Sequence, residues 1–303
     1  MQPKAAARLA FLALIGGATG IGFAPVLVRL SETGPTATAF YRLLFALPLL
    51  WFWVWFDRGK ASVFRQPSCP RDFLGLAIAG LFFTGDLSIW HWSLQFTSVT
   101  NSTLLTNVAP IFVTIGARVF FGDRITMSFV LGMTLAIAGA AMLAGASYTV
   151  STRHLLGDVL SLVAAGFYAG YLLMVKHLRG SFSTSTIMAW SGIASCAGFG
   201  VVAWLSGDKM SVDTSAGWLV WLGLALVSHV GGQTLIAYGF GHLPASFSSV
   251  SLLWQPVVAT AVAWLVLGER LRWVQGIGAL VVLGGIAVAG GLLSNRREVG
   301  SRN

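Results

Sequence analysis

Charge is what this sequence has least of. Only 10% of its 303 residues are Asp, Glu, Lys or Arg, against about a quarter in a soluble domain, whose surface must be wetted. A water-exposed globule is thereby excluded. Cysteine is nearly absent as well: Cys69 stands in a polar connection and Cys196 in an apolar run. Neither has the spacing of a metal site, and no disulfide is expected. There is no H-E-x-x-H zinc motif and no G-x-S-x-G elbow. His154 and Asp158 have the His-x-x-x-Asp spacing of some acyltransferases, but they fall at a loop-to-helix start, where an acid suits a first turn. An intramembrane enzyme is therefore the weaker reading, and no metal or cofactor is expected. A channel is weaker still, since no ring of like charge or repeated carbonyl filter is visible.

What fills the chain instead is apolar sequence, 56% of all residues. It is arranged as runs of roughly 20 residues, the length an α-helix needs to cross a bilayer. Spans are expected near residues 9–28, 36–56, 73–93, 101–120, 126–145, 155–175, 184–205, 216–238, 246–267 and 273–293. β-Barrel strands would be about half as long and would alternate strictly. Lys4 and Arg8 precede the first run as they would in a signal peptide, but the run is too long and further spans follow. An uncleaved first helix is expected.

The net charge of +9 lies in the short connections rather than on one helix face, which argues against nucleic acid. With the N-terminus inside, thirteen of the nineteen Lys and Arg fall in inner segments, five in outer ones, and Arg42 within a span. Positive connections are retained on the cytoplasmic side, so both termini should be cytoplasmic.

Sliding the chain against itself exposes a repeat. Pro110-Ile111 falls on Pro256-Val257, Gly122-Asp123-Arg124 on Gly268-Glu269-Arg270, Gly132 on Gly278 and Gly139 on Gly285, all separated by 146 residues. The same shift sets Gly20 on Gly166, Gly85 on Gly231 and Trp92 on Tyr238. Residues 1–148 and 149–303 should each form a five-helix unit. Because five is odd, the second unit must enter the membrane from the opposite side. Two inverted repeats around a central cavity form a transporter architecture, working by alternating access.

The residues carrying this pattern resemble the drug/metabolite transporter superfamily, in its ten-helix EamA-type branch. They are Thr36-Ala37-Thr38-Ala39-Phe40-Tyr41-Arg42, Asn107-Val108-Ala109-Pro110 with Gly122-Asp123-Arg124, and Gln255-Pro256 with Gly268-Glu269-Arg270. The second repeat departs from the first, with Thr186-Ile187-Met188 where Tyr41-Arg42 would recur. The resemblance implies a secondary transporter of the bacterial inner membrane that exports small organic metabolites. Amino acids, including neutral and aromatic ones, are the first expectation, and other metabolites or drugs of the superfamily, such as sugar phosphates and nucleotide sugars, are the alternative. With Arg42 alone to meet a phosphate deep in the membrane, the alternative has less support. The expected partners are a small-molecule substrate and membrane lipid, and a monomer is favoured.

Ionisable groups at membrane depth cost several kcal/mol unless paired or hydrated, which singles out Arg42, Asp86, His91 and His229. Asp86, His91 and His229 are also the groups that could titrate in proton exchange. Arg42 and Asp86 lie at matching depths, about 9 and 10 Å from the outer boundary at 1.5 Å per residue, so an ion pair between them is expected, either as a structural lock or as part of a gate or substrate site. Trp90, His91 and Gln95 end the third span, as an interfacial belt or a binding wall. His229 and Gln233 share a helix face, while Tyr168, Tyr171, Trp254 and Gln255 supply aromatic walls and polar tips. With Tyr41, Asn101 and Asn107 they complete the candidate cavity. Asn101, Ser102 and Asn107 could equally be glue between helices. Pro110 and Pro256 each remove a backbone hydrogen bond and are candidate hinges. Gly16-x-x-x-Gly20 and Gly166-x-x-x-Gly170 allow close helix approach, within the monomer rather than between copies.

Overall fold

The computed structural model describes residues 3–58, 64–97, 99–144, 155–268 and 270–299. Those residues form helices joined by short connections, without a strand, and ten helices are long and apolar enough to cross a membrane. They are α1 Ala5–Arg29, α2 Pro35–Asp57, α3 Pro70–Phe96, α4 Asn101–Phe121, α5 Met127–Ala144, α6 Leu155–Leu178, α7 Thr184–Ser206, α8 Ser215–His242, α9 Ala245–Leu267 and α10 Trp273–Gly291. The end of the bundle where the chain starts is called proximal below, and the other distal.

Local chemistry sets the helix ends. Ser183 Oγ accepts from Thr186 N at the start of α7 and Thr214 Oγ1 from Gly217 N at the start of α8, each satisfying a donor the helix leaves open. Gly122 and Gly268 stop α4 and α9 at φ +68° and +66°, the left-handed turn that glycine adopts without Cβ strain. This explains the glycine in both copies of the Gly-acidic-Arg triplet. Glu269 and His154 lie outside the described residues.

Two helices are interrupted at corresponding places. In α4 the helix breaks at 107–108, just before Pro110, and in α9 at 252–253, just before Pro256. Tighter turns bridge each break: Ile111 N donates to Val108 O at 2.8 Å and Gln255 N to Leu252 O at 2.9 Å. A proline lacks the N–H that would continue the ladder, so the chain tightens around it. Helix α1 breaks likewise at Phe23, ahead of Pro25. In α8, residues Leu224–Gln233 form a π-helix, a widened turn often found at functional positions.

Packing follows the small residues. Helices α5 and α10 lie backbone to backbone: a Cβ on Gly132 would stand 2.6 Å from Gly285 O, and one on Gly139 2.6 Å from Gly278 O. Helix α3 packs on α6 and α1 on α8, α3 on α7 and α2 on α8, α4 on α6 and α1 on α9, while α2 meets α7 and α4 meets α9. A 146-residue shift maps this set of pairings onto itself. In α1, Gly17 and Gly20 meet the backbone of Gly232 and Val227 within the monomer, whereas Gly16 reaches only the Leu235 side chain. Gly170 lies under the Phe82 ring and Gly166 faces open space. The second glycine pair therefore does not join two backbones.

Candidate functional site

Five spans bring polar side chains together around Phe83 of α3. Arg42 descends from α2 and sits 6% exposed, its Cζ 5.9 Å from the Phe83 ring centroid. Tyr171 of α6 packs on the same ring at 5.0 Å and His229 of α8 at 5.9 Å. The Tyr171 hydroxyl donates to Gln233 Oε1 at 3.3 Å. Tyr168, one turn earlier in α6, stacks towards Tyr171 at 6.4 Å and approaches the Gln255 carboxamide of α9. Asp86 follows Phe83 by three residues in α3, on the same side of the helix. Arg42, Tyr168, Tyr171, His229, Gln233 and Gln255 thus gather as a cluster near Phe83, with Asp86 one helical turn beyond it. Several of its groups hold unused hydrogen-bonding capacity: Arg42 Nε and Nη2, His229 Nδ1 and Gln255 Nε2 meet no hydrogen-bonding group of the protein.

The expected ion pair between Arg42 and Asp86 does not form. Among the described residues the salt bridges are Arg65–Asp72 and Lys209–Asp213. Equal depth fixes position along a helix axis and leaves rotation about it open. The other candidates lie apart from this cluster. Tyr41 stacks on Trp221 of α8 at 3.8 Å, in a patch with Phe45 and Trp218. His91 is half-buried beside the Trp90 ring and within electrostatic reach of Asp208, while Gln95 is exposed and Trp92 is 53% exposed, as a belt residue would be. Asn101 is fully buried and donates to Asp158 Oδ1 at 3.4 Å, beside Thr97, which donates to the same oxygen at 2.6 Å. Ser102 bridges Ser93 and Ser161. The polar start of α4 is therefore glue between α3, α4 and α6. Asn107 is half-buried at the break of α4, and Trp254 Nε1 donates to Thr19 Oγ1 at 3.0 Å.

A hollow of about 450 Å³ opens between α3, α4 and α6, but none of the candidate residues lines it. Its walls are Phe82, Phe112, Val159, Leu162, Val163, Gly166 and Phe167, and four of these side chains are exposed on the outer face of the bundle. It is an apolar groove, separate from the polar cluster. Phe83 is the central residue the sequence did not single out.

Residues 8–145 match the EamA-like transporter family, and residues 155–291 match it again. The chain belongs to this family. Relatives of this EamA-like transporter include a transporter of Archaeoglobus fulgidus, 25% identical over 86% of this chain and 89% of its own length. A probable terminal-alkyne amino-acid exporter of Streptantibioticus cattleyicolor is 28% identical over 78% of each chain. The riboflavin transporter ImpX of Fusobacterium nucleatum is 25% identical over 92% of this chain and 95% of its own. A crystal structure at 17% identity superposes with a TM-score of 0.75, covering 95% of this chain and 99% of that one, which establishes the fold.

Both ends of this EamA-like transporter carry polar ties between connections. Distally, Asp208 accepts from Thr36 N and Ala37 N at 2.9 Å each, and Glu32 accepts from Asp213 N at 2.8 Å and from Thr214. The Thr214 hydroxyl, followed by the Asp213 amide, holds the Glu32 carboxyl below its ordinary value. Proximally, Arg65 pairs with both oxygens of Asp72, which raises the Arg65 guanidinium further, and its backbone N–H meets Ser181 O. Asp123 of the first Gly-acidic-Arg triplet accepts from Ser246 N at 3.1 Å and Ser246 Oγ at 2.7 Å, capping α9.

Proposed function

We propose that the chain is a secondary transporter of the bacterial inner membrane that exports small organic metabolites, with amino acids, neutral and aromatic ones among them, as the first class. In this reading residues 1–148 and 149–303 are oppositely inserted repeats, both termini are cytoplasmic, and the two halves rock around a fixed central site. One observation carries it: Arg42 is buried at the meeting of five spans with donors unused, where a charge is retained for function rather than packing. Phe83, Tyr168 and Tyr171 supply aromatic faces, and Gln233, Gln255 and His229 polar tips, as in a small-molecule site. The amino-acid exporter among the relatives supports the substrate class. The proline breaks of α4 and α9 are the hinges.

Purified protein in liposomes, tested with radiolabelled neutral, aromatic and charged amino acids, decides the matter. Neutral and aromatic members should accumulate above the level of empty liposomes, and repeating the assay with a pH gradient separates proton exchange from uncoupled passage. Uptake no greater than empty liposomes across the panel overturns the assignment.

A further inference from the structure

Resting on that reading, we propose that Arg42 is the anchor for a substrate carboxylate, and that the central site takes apolar and aromatic monocarboxylates as a class, with or without an amino group. The buried atoms of the cluster that no group of the protein satisfies are mostly donors. Arg42 Nε and Nη2 and Gln255 Nε2 can only donate, and His229 Nδ1 donates in one of its two tautomers. The acceptor Gln233 Oε1 is already engaged by the Tyr171 hydroxyl at 3.3 Å. Among the described residues Arg42 belongs to no ion pair, although its side chain is only 6% exposed. Whatever completes the cluster must therefore bring acceptors and, beside a guanidinium, negative charge. Water supplies the first and not the second.

Geometry and surroundings narrow the anion. A guanidinium is a planar fork that matches a carboxylate through two parallel hydrogen bonds. Arg42 Cζ lies 5.9 Å from the Phe83 ring centroid, and Tyr171 packs on the same ring at 5.0 Å. Beside so much aromatic surface one guanidinium offsets one negative charge. A phosphate monoester carries about −1.5 to −2 at pH 7 and would leave the remainder uncompensated in the middle of the bundle. The Phe83 and Tyr171 rings offer faces to an apolar or aromatic substituent. No acidic side chain of the described residues forms an ion pair in the cluster, and Asp86, one turn beyond Phe83, pairs with no cation. The carboxylate contact is thus what the cluster offers a ligand, and an amino group is not needed for it.

The test reads binding to the intact, detergent-purified protein, so that it can fail independently of transport. Four probes share one phenyl ring: phenylalanine, 3-phenylpropanoate, which lacks the amino group, phenylalaninamide, which lacks the carboxylate, and phenyl phosphate. The rise in thermal midpoint with probe concentration gives each Kd by linkage. Phenylalanine and 3-phenylpropanoate should bind with similar Kd. Phenylalaninamide should bind at least about tenfold more weakly, as a site built to bond a polar group rejects the analogue without it, and phenyl phosphate should also bind more weakly than either carboxylate. Arg42→Gln should level phenylalanine with its amide, whereas Arg42→Lys, which keeps the charge and loses the fork, should keep part of the preference. The wild-type series reads the proposal even if a variant fails to fold. Phenylalaninamide or phenyl phosphate binding as tightly as 3-phenylpropanoate, no midpoint shift with any probe, or a carboxylate preference that survives Arg42→Gln each overturns it. Phenylalanine binding at least about tenfold more tightly than 3-phenylpropanoate does so too, since the amino group would then be a second anchor. Carboxylate-selective binding without uptake in liposomes leaves the anchor standing and overturns the export reading.

Discussion

The α5·α10 seam and the Arg42 cluster are opposites within one bundle. In the seam, Gly132, Gly139, Gly278 and Gly285 let two backbones approach so closely that an added Cβ would overlap the facing chain. In the cluster, large side chains from five helices leave hydrogen-bonding atoms of Arg42, His229 and Gln255 without a partner in the protein. The difference teaches where the fold is held and where it is kept available: the seam brings backbone against backbone, and the centre keeps bonding capacity that the protein itself does not use.

Breaking the seam should have the largest effect. Gly285→Val places a side chain where Gly132 O already stands 2.6 Å from an added Cβ. Overpacking of backbone on backbone should cost about 3 kcal/mol, read as a lower thermal midpoint and loss of monodisperse protein in detergent. The opposite sign is expected at the centre. Arg42→Met exchanges a buried unpaired charge for an apolar side chain and should raise stability by about 1–2 kcal/mol, while abolishing uptake in liposomes. If Arg42→Met instead lowers the thermal midpoint, the arginine is part of the scaffold and the contrast fails.

Smaller changes sharpen the same contrast at the bundle ends. Asp123→Ala removes the cap on α9 and should cost about 1 kcal/mol, seen as faster amide exchange at Ser246 and Phe247 with the seam unchanged. The Glu32 tie should respond to pH. Its folded value is depressed, so the tie stabilises at any pH above the ordinary glutamate range and is lost as pH falls through the lowered value. Protease nicking near 31–34 should therefore rise only in strong acid, and Glu32→Gln should show no such step.

The ten spans were legible because length and hydropathy are properties of each segment alone, and the structure agrees with them to within a few residues. Scarcity made part of the cluster legible too: in a chain with so few charges, Arg42, Asp86 and His229 stand out. What could not be read was rotation and long-range partnership. Phe83 is one of 20 phenylalanines, and nothing local marks it as the ring around which the others gather. Asn101 has the polarity of a cavity residue, but its partner is Asp158, 57 positions away in the chain. The π-helix of α8 left one trace, the adjacent Gly231-Gly232 pair, where α8 closes on Gly17 and Gly20 of α1.

The seam carries one more consequence. Gly132 meets Gly285, and the residues that a 146-position shift puts in their places, Gly278 and Gly139, also meet each other. Residue i touching j while the counterpart of j touches the counterpart of i is the signature of an isologous, self-complementary surface about a dyad. Such a surface matches itself, so a change at Gly132 or Gly285 has its equivalent at Gly278 or Gly139.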